Sequence, residues 1–268
     1  MATQLEKDLL DNAFLLSAKN GKLEDVKKYL AEGASINAED KDGKNALFFT
    51  VLNRDQEMAA FLVASGINKN HQNHDGNTPL IYAVACHRQG VAVPMVQALL
   101  SWHVNADIQN EKGDAAIHFA IDDLPSMKSL LQAAADLNVQ NQSGLTPLMR
   151  TAGGSLLQDT LPAFRALLAA GADLNLQDKN GFTALMWAVV HQHWLPERDQ
   201  ILRGLVDAGA DIFAEDNKGL TAIDHAANHD LTDAVKYLKQ CALEKELSGF
   251  KKGLSRPIKA TRPIGFKP

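Results

Sequence analysis

The chain has 268 residues, of which 46% are hydrophobic and 22% charged, a composition typical of globular proteins that excludes a largely disordered chain. Two cysteines exclude a disulfide scaffold, and no apolar run reaches the roughly 18–20 residues that cross a bilayer. Residues 1–246 carry 32 acidic against 21 basic side chains, so nucleic acid is excluded as the main ligand.

The N-terminal residues 1–11 alternate Leu with charged side chains. They lack the apolar core of a signal peptide, so we expect a cytoplasmic location and no membrane insertion. From Leu16 the chain enters a segment in which Gly21 and Gly33 fall in phase with the units that follow.

A repeated signature then runs along most of the chain. A glycine preceded by two polar residues is followed by a Thr-x-Leu-like segment, at spacings of 31 to 38 residues. These glycines are Gly43, Gly76, Gly113, Gly144, Gly181 and Gly219. A second signature, Gly-Ala-Asp-Leu-Asn or a close variant, closes most units, at Gly33, Gly66, Gly171 and Gly209. A period near 33 residues with these two signatures resembles the ankyrin repeat.

The residues of each unit fit this resemblance physically. Thr78 and Thr146 can each cap a helix, and the following proline suits the first turn, where no backbone N–H is required. The closing glycine supplies a left-handed residue, and His103 and Ala134 stand in its place in two units. We therefore predict an all-α ankyrin-repeat solenoid of about seven helix-turn-helix repeats with β-turn fingers. Three units carry extra residues between their helices, at positions 87–93, 154–161 and 191–195.

Two domains are predicted, a repeat domain over residues 1–246 and a basic, extended tail over residues 247–268. The tail has six basic and no acidic residues, and its prolines disfavour regular helix. The default interpretation is a solvated, flexible tail. The alternatives are a contact with the body, whose charge is opposite, and a linear motif for another protein.

The histidines and cysteines give weak grounds for catalysis or metal binding. His118 occupies the family's Thr-Pro-Leu-His position, for which the resemblance implies a structural role between repeats. His225 and His229 have a zinc-ligand spacing, but no third ligand accompanies them. Cys86 and His87 are adjacent, and adjacent residues of a helix do not face each other. We expect no catalytic residue, metal or cofactor.

The resemblance implies that a partner protein binds the concave face, made of finger tips and the exposed ends of the first helices. The residue after each finger glycine is polar in the first three fingers and apolar in the last three. These residues are Lys44, Asn77, Asp114, Leu145, Phe182 and Leu220. An exposed row of the three apolar residues would form a binding hot spot. The alternative is that these side chains pack against their neighbours.

Further partner contacts are expected at the ends of first helices and in the insertions. The residues are Asn53, Cys86, Asp122, Asp123, Trp187, His191 and Trp194. Of these, Asp122 and Asp123 form an acidic stretch that suits a basic partner.

The function predicted from these features is that of a non-enzymatic adaptor, which binds another protein through the concave face. Two alternatives stay open. One is a bacterial effector that engages host proteins by the same surface, in the cytoplasm of the host cell. The other is an enzyme whose site lies on the insertions, around Cys86 or around His191 and His193.

Overall fold

A computed structural model describes residues 3–86, 93–154, 160–190 and 198–254. The regular structure in these ranges consists of helices, arranged as seven consecutive pairs that we number units 1 to 7. The first helices of the pairs are α1 (Gln4–Lys19), α3 (Ala46–Asn53), α5 (Pro79–Cys86), α7 (Ala116–Phe119), α9 (Pro147–Gly153), α11 (Ala184–Val190) and α13 (Ala222–Asn228). The second helices are α2 (Leu23–Ala31), α4 (Gln56–Ala64), α6 (Val93–Ser101), α8 (Leu124–Gln132), α10 (Leu161–Ala169), α12 (Arg198–Asp207) and α14 (Thr232–Leu254).

The predicted all-α repeat architecture is therefore confirmed. In unit 4 a short 3-10 helix, Ala120–Asp122, follows α7. Most of the predicted insertions, at residues 87–92, 155–159 and 191–195, lie outside the described residues. Among the described residues, no helix combines the length and apolar character that crossing a bilayer would need.

Local capping explains where the first helices begin. The hydroxyl groups of Thr78 and Thr146 each accept a hydrogen bond at 3.2 Å from the backbone N–H three residues on. Ala115 has no hydroxyl at this position, and there the backbone N–H of Ala115 donates to Nδ1 of His118 at 3.1 Å. At the start of α7 the His118 side chain thus takes part in the capping that a threonine hydroxyl provides in the other units.

The units stack through one continuous apolar core. Each first helix packs on the first helix of the next unit, from α1 on α3 to α11 on α13. The Leu or Ile that follows the helix cap is 0–1% exposed in five units, at Leu47, Leu80, Ile117, Leu148 and Leu185. In unit 7 the corresponding Ile223 is half-buried. Burial of these side chains between neighbouring units is the main favourable contribution to the stack.

The second helices end on left-handed residues, as the sequence predicts. Gly33, Gly66 and Gly171 have φ values of 104°, 89° and 84°. His103 and Ala134 take the same conformation, with φ values of 57° and 56°. Because a left-handed alanine is strained, unit 4 closes at a conformational cost.

The last helix departs from this pattern. Ala242, four residues after the buried Leu238, stands where the other units place the closing residue, and α14 continues past it to Leu254. Alanine is strained in the left-handed conformation, and whereas Ala134 adopts it in unit 4, Ala242 stays in the helix. The prediction that an extended tail begins at residue 247 is therefore wrong for residues 247–254, which are helical. Residues 255–268 lie outside the described ranges.

The fingers, which are the turns that precede first helices, stack backbone to backbone. The N–H of Glu111 donates to the carbonyl of Asp75 at 3.0 Å, and the N–H of Gln142 donates to that of Lys112 at 2.9 Å. Equivalent bonds link all consecutive fingers from that of unit 2 to that of unit 7, at 2.9–3.1 Å. This close approach needs residues without a Cβ at the finger glycines.

A ladder of glutamine side chains reinforces these turns. The amide of each glutamine donates to the carbonyl of its own finger glycine and to a carbonyl of the next unit. The glutamines, each four residues before a finger glycine, are Gln72, Gln109, Gln140 and Gln177. In units 2 and 7 the same position holds Glu39 and Glu215, whose carboxylates cannot donate.

A second ladder runs beside the first, two positions earlier in each unit. In it an Asn or Asp side chain accepts a hydrogen bond from the backbone N–H of the following unit, as Asn138 does from Asp173 at 2.8 Å. Phe213, which is 46% exposed, occupies this position in unit 7. Unit 7 therefore lacks both side chains that bind a following unit.

Candidate protein-binding surface

From unit 2 to unit 7, one residue of each first helix lies beside the fingers and forms a row across the units. It is the fourth residue after the capping position, and we call the set the first-helix row: Phe49, Tyr82, Phe119, Arg150, Trp187 and His225. Tyr82, Phe119, Arg150 and Trp187 are half-buried, so each retains some accessible side-chain surface. The row is aromatic at four of its six positions, which is the residue type that dominates protein interfaces.

In three fingers the residue after the glycine contacts the row residue of the next unit. Lys44 places its ammonium 5.3 Å from the ring centroid of Tyr82. Asp114 accepts a hydrogen bond at 3.3 Å from the guanidinium of Arg150. The fingers and the first helices thus form one continuous surface, and some of its polar side chains are bound to other groups of the protein.

Arg150 lies at the centre of this surface. Its guanidinium carbon is 5.7 Å from the ring centroid of Phe119, and its ion pair with Asp114 is 28% and 10% exposed on the two side chains. A guanidinium held between an aromatic ring and a carboxylate has few free rotamers. Arg150 is therefore fixed in place before a partner arrives.

The sequence left open whether the apolar row is an exposed hot spot or packs against neighbouring side chains, and the structure shows features of both. Leu145, Phe182 and Leu220 are all half-buried. The Phe182 ring packs edge-to-face against Trp187 at 6.2 Å and against His225 at 4.8 Å, measured between ring centroids. Phe182 is thus partly a packing residue, while each of the three side chains still presents some surface.

Two buried carboxylates bind the side chains of Trp187 and His225. Asp178 accepts the indole N–H of Trp187 at 3.1 Å, and Asp216 pairs with Nε2 of His225 at 2.9 Å. Burial opposes the charge on Asp216, but hydrogen bonds from the backbone N–H groups of Leu220 and Lys218, and from His225, hold its pKa below 3.8. Such fully bonded carboxylates fix the orientation of the aromatic rings above them.

Two predicted contact residues have internal roles. Asn53 donates to the carbonyl oxygens of Ala18 and Lys19 at 3.3 and 3.0 Å and so caps the end of α1. Asn77 accepts a hydrogen bond from the amide of Asn110 at 2.9 Å.

Asp123 requires a correction, because the structure removes it from the surface on which a partner was predicted to bind. It is 3% exposed, and Ser126 donates its hydroxyl to one carboxylate oxygen at 2.6 Å. The residue comes just after the 3-10 helix of unit 4, whose tight turn draws Asp123 inwards. Its neighbour Asp122 is half-buried and keeps some accessible surface.

Cys86 ends α5 and is exposed. Burial of the sulfur by its neighbours raises the pKa of the thiol, an effect that a hydrogen bond with Tyr82 and the charge of Lys44 partly oppose. A raised thiol pKa reduces the thiolate fraction at neutral pH and so disfavours nucleophilic chemistry.

His118 joins two units, in the structural role implied by the resemblance. Its Nε2 lies 3.0 Å from the carbonyl oxygen of Leu145 in the next finger, and the side chain is 0% exposed. The two histidines with zinc-ligand spacing separate in function, since His225 is bound to Asp216 and His229 caps α13. In the described ranges no three His, Cys, Asp or Glu residues are grouped as metal ligands would be.

The remaining predicted contacts, His191 and Trp194, lie outside the described residues, as does His193. The sequence interpretation named Trp187 but missed its equivalents Tyr82, Phe119 and Arg150. Their common position, four residues after the helix cap, is the signal that would have found them.

Comparison with known proteins agrees with this architecture. A family model described as ankyrin repeats (3 copies) matches residues 14–101, 120–216 and 155–248. A mitochondrial disaggregase from Bos taurus is 28% identical over 153 residues, which is 55% of this chain and 22% of the relative. The chain therefore spans about a fifth of the length of that curated relative.

Two solved structures share the fold. The ankyrin repeat protein EF0377 superposes with a TM-score of 0.65 and 25% identity, covering 77% of this chain and 98% of that protein. The ankyrin repeat domain of Bcl-3, described as a member of the IkappaB family, gives a TM-score of 0.70 with 21% identity, covering 84% and 97%.

Proposed function

The chain belongs to the ankyrin-repeat family, and we propose that it binds another protein through the surface formed by its fingers and its first-helix row. Ankyrin repeats are generally protein-interaction modules and typically serve as non-enzymatic scaffolds. The observation that carries the proposal is the first-helix row itself, in which half-buried aromatic and arginine side chains follow one another from unit to unit.

Rigidity of the surface supports this function. The finger backbones are linked from unit to unit, and the glutamine side chains add a second set of links between the same turns. Side chains such as Arg150 and Trp187 are held by carboxylates beneath or beside them. A partner that binds such a surface orders few new groups, so little conformational entropy is lost on binding.

The chemistry of the surface changes along the array, which defines the partner we propose. In units 5 to 7 the residues Leu145, Phe182, Trp187 and Leu220 present apolar surface, suited to apolar side chains of the partner. In units 2 and 3 the accessible groups are mixed. There Lys44 is 17% exposed and already pairs with Asp42, so we assign polar contacts of lower energy to this end.

Location and the remaining interpretations are part of this proposal. We place the protein in the cytoplasm, and a role as an effector inside a host cell is a special case of the same binding activity. The tail at residues 255–268 can contribute charge to either the body or the partner. The enzyme alternative around Cys86 is disfavoured by the raised pKa of its thiol.

The proposal is tested by photo-crosslinking from defined positions in cells. Benzoylphenylalanine at Tyr82 or Phe119 keeps an aromatic ring in the first-helix row, so the fold should be retained. Matched control positions are Gln97 on α6 and Lys128 on α8, which are exposed on second helices. We expect one partner protein to be captured from both row positions and from neither control.

An affinity measurement with the captured partner then locates the apolar contacts. Leu220→Ser removes a half-buried side chain at the end of the apolar row of finger residues. We expect this variant to bind the partner about tenfold more weakly, or by about 1.4 kcal/mol. Crosslinks from Gln97 or Lys128 alone would move the binding surface to the second helices and contradict the proposal.

A further inference from the structure

Helix α1 is apolar on two opposite faces. One face enters the core, with Phe14 and Ala18 0% exposed. The opposite face carries Leu5, Leu9 and Leu16, which are 70%, 62% and 58% exposed. These are three of the seven most exposed large apolar residues in the part of the chain that the structure describes. A stripe of leucines directed away from the core is a feature of helices that bind another helix.

The length of α1 adds to this observation. The other first helices have four to eight residues, whereas α1 has 16. Aligning Ala13 with Ala46, the first residue of α3, shows that α1 begins more than two turns early. Leu5 and Leu9 lie in these additional turns, so the packing of units 1 and 2 does not account for them.

The spacing of the stripe is that of a coiled-coil seam. Leu5, Leu9, Asn12 and Leu16 follow one another at intervals of four, three and four residues. This is the a/d pattern in which two helices interlock. Asn12 is exposed and is the one polar residue among the four.

We propose that the exposed stripe of α1 binds the same stripe of a second copy of this chain, with the two helices antiparallel. In this register Leu5 meets Leu16 of the second copy, and Leu9 meets its Asn12, so each layer of the seam contains one a and one d position. The pairing has a two-fold axis, and it therefore closes as a dimer and does not extend into a filament.

Charge selects the antiparallel orientation. The first turns of α1 carry Glu6 and Asp8 beside the seam and Lys7 on the opposite side of the helix, and the last turn carries Lys19, all exposed. Antiparallel pairing brings Lys19 of one copy to within about one helical turn of Glu6 of the other. Parallel pairing would set like charges side by side at both ends.

This proposal goes beyond the proposed function, because Leu5 and Leu9 lie outside the first-helix row, although Leu16 is the unit 1 equivalent of Phe49 in that row. One short helix pair buries less surface than a standard interface, so we expect a reversible dimer that dissociates on dilution. Sedimentation velocity of the full chain, under reducing conditions because Cys86 is exposed, measures this directly. We expect the weight-average sedimentation coefficient to rise from that of a monomer towards that of a dimer between about 1 and 300 μM.

The decisive variant is Leu5→Glu with Leu9→Glu, which alters exposed side chains only and should leave the circular dichroism melt unchanged. The matched control is Leu243→Glu with Leu247→Glu on α14, whose side chains are 56% and 52% exposed. We expect the α1 variant to raise the dimer dissociation constant at least tenfold, or about 1.4 kcal/mol, and the control to leave it unchanged.

Orientation is tested by Lys19→Glu, which should weaken the dimer several-fold by placing two carboxylates near each other. A wild-type chain that stays monomeric over the whole concentration range would overturn the proposal. So would an α1 variant that dimerises as tightly as wild type, because another surface would then hold the dimer. Neither result would affect crosslinking from Tyr82 and Phe119, so the two proposals fail separately.

Discussion

Gly113 lies against the backbone of Gln142 in the next finger, so closely that a Cβ at position 113 would lie 2.5 Å from the backbone nitrogen of Gln142. The same relationship holds between Gly76 and Glu111, at 2.6 Å. Gly219 in unit 7 has a similar φ, 75° against 74° for Gly113, but the nearest atom to a Cβ there is 4.0 Å away. Two glycines with the same conformation thus differ in whether a neighbouring finger touches them.

Substituting each of these two glycines by alanine separates the energetic cost of backbone strain from the cost of disturbing the contact between fingers. Gly219→Ala should lower the free energy of unfolding by about 1–2 kcal/mol, because alanine is strained in the left-handed region. Gly113→Ala should cost more, about 3 kcal/mol or above, since the Cβ also displaces backbone. Urea titration followed by circular dichroism measures both. Equal losses for the two variants would mean that the finger contact contributes little.

The glutamine ladder gives a second prediction. Gln140→Ala removes hydrogen bonds of 2.8 Å to the carbonyl oxygens of Gly144 and Gln177, and it should lower the unfolding free energy by about 1–2 kcal/mol. Glu215→Gln supplies the missing donor beside Gly219 and should raise it by about 0.5–1 kcal/mol. Gln97→Ala on α6 is the control. A destabilised Glu215→Gln variant would show that the ladder does not act as described.

The buried His118 predicts acid sensitivity. Burial, aided by the nearby Arg150, lowers its pKa below 6.5, although the carbonyl of Leu145 and the carboxylate of Asp114 act in the opposite direction. The unfolded chain therefore binds more protons than the folded chain once the pH falls below 6.5, and stability decreases from there towards the lower folded pKa.

Met149 holds the equivalent position in unit 5, so His118→Met is a substitution that the fold already accommodates. We expect the variant to be less stable than wild type at pH 7.5 by about 1–2 kcal/mol, because the link to Leu145 is lost. Its loss of stability between pH 7 and pH 5 should be smaller than that of wild type. Parallel pH profiles for the two proteins would assign the acid sensitivity to other groups.

Asn53 distinguishes a structural residue from a binding residue. Because its side chain satisfies two carbonyl groups at the end of α1, Asn53→Ala should cost about 1 kcal/mol of stability. The affinity for the partner captured from Tyr82 should stay unchanged. Thermal melts and a binding titration of the same variant, beside Gln56→Ala as a control on α4, measure the two effects. A tenfold loss of affinity without loss of stability would restore Asn53 to the binding surface.

The repeat could be predicted in detail because its physical requirements are local. A capping Thr at position 146, a proline after it and a left-handed residue at 103 are each demanded by a few neighbouring atoms. These requirements recur at a nearly fixed period, so each unit supports the interpretation of the others. Seven helix pairs follow from them without knowledge of long-range contacts.

The surface was harder to predict because exposure depends on neighbouring units. Asp123 looks like a surface carboxylate in the sequence but is drawn inwards by the short 3-10 helix. Phe182 looks like a free hot-spot residue but packs between Trp187 and His225. Likewise the helical residues 247–254 depend on Ala242, which stays in the helix although Ala134 at the equivalent position of unit 4 turns the chain. A missing signal of this kind is easily overlooked in a diverged repeat.

The two side-chain ladders also bear on how such an array can change in length during evolution. A unit duplicated within the stretch between Gly76 and Gly181 would carry its own glutamine donor and its own Asn or Asp acceptor, so both new junctions would be bonded at once. A unit fused in register after the seventh would meet Glu215 and Phe213, which offer neither group. The array therefore lengthens most easily by duplication of a central unit. The last unit is free to change without loss of ladder bonds to a following unit.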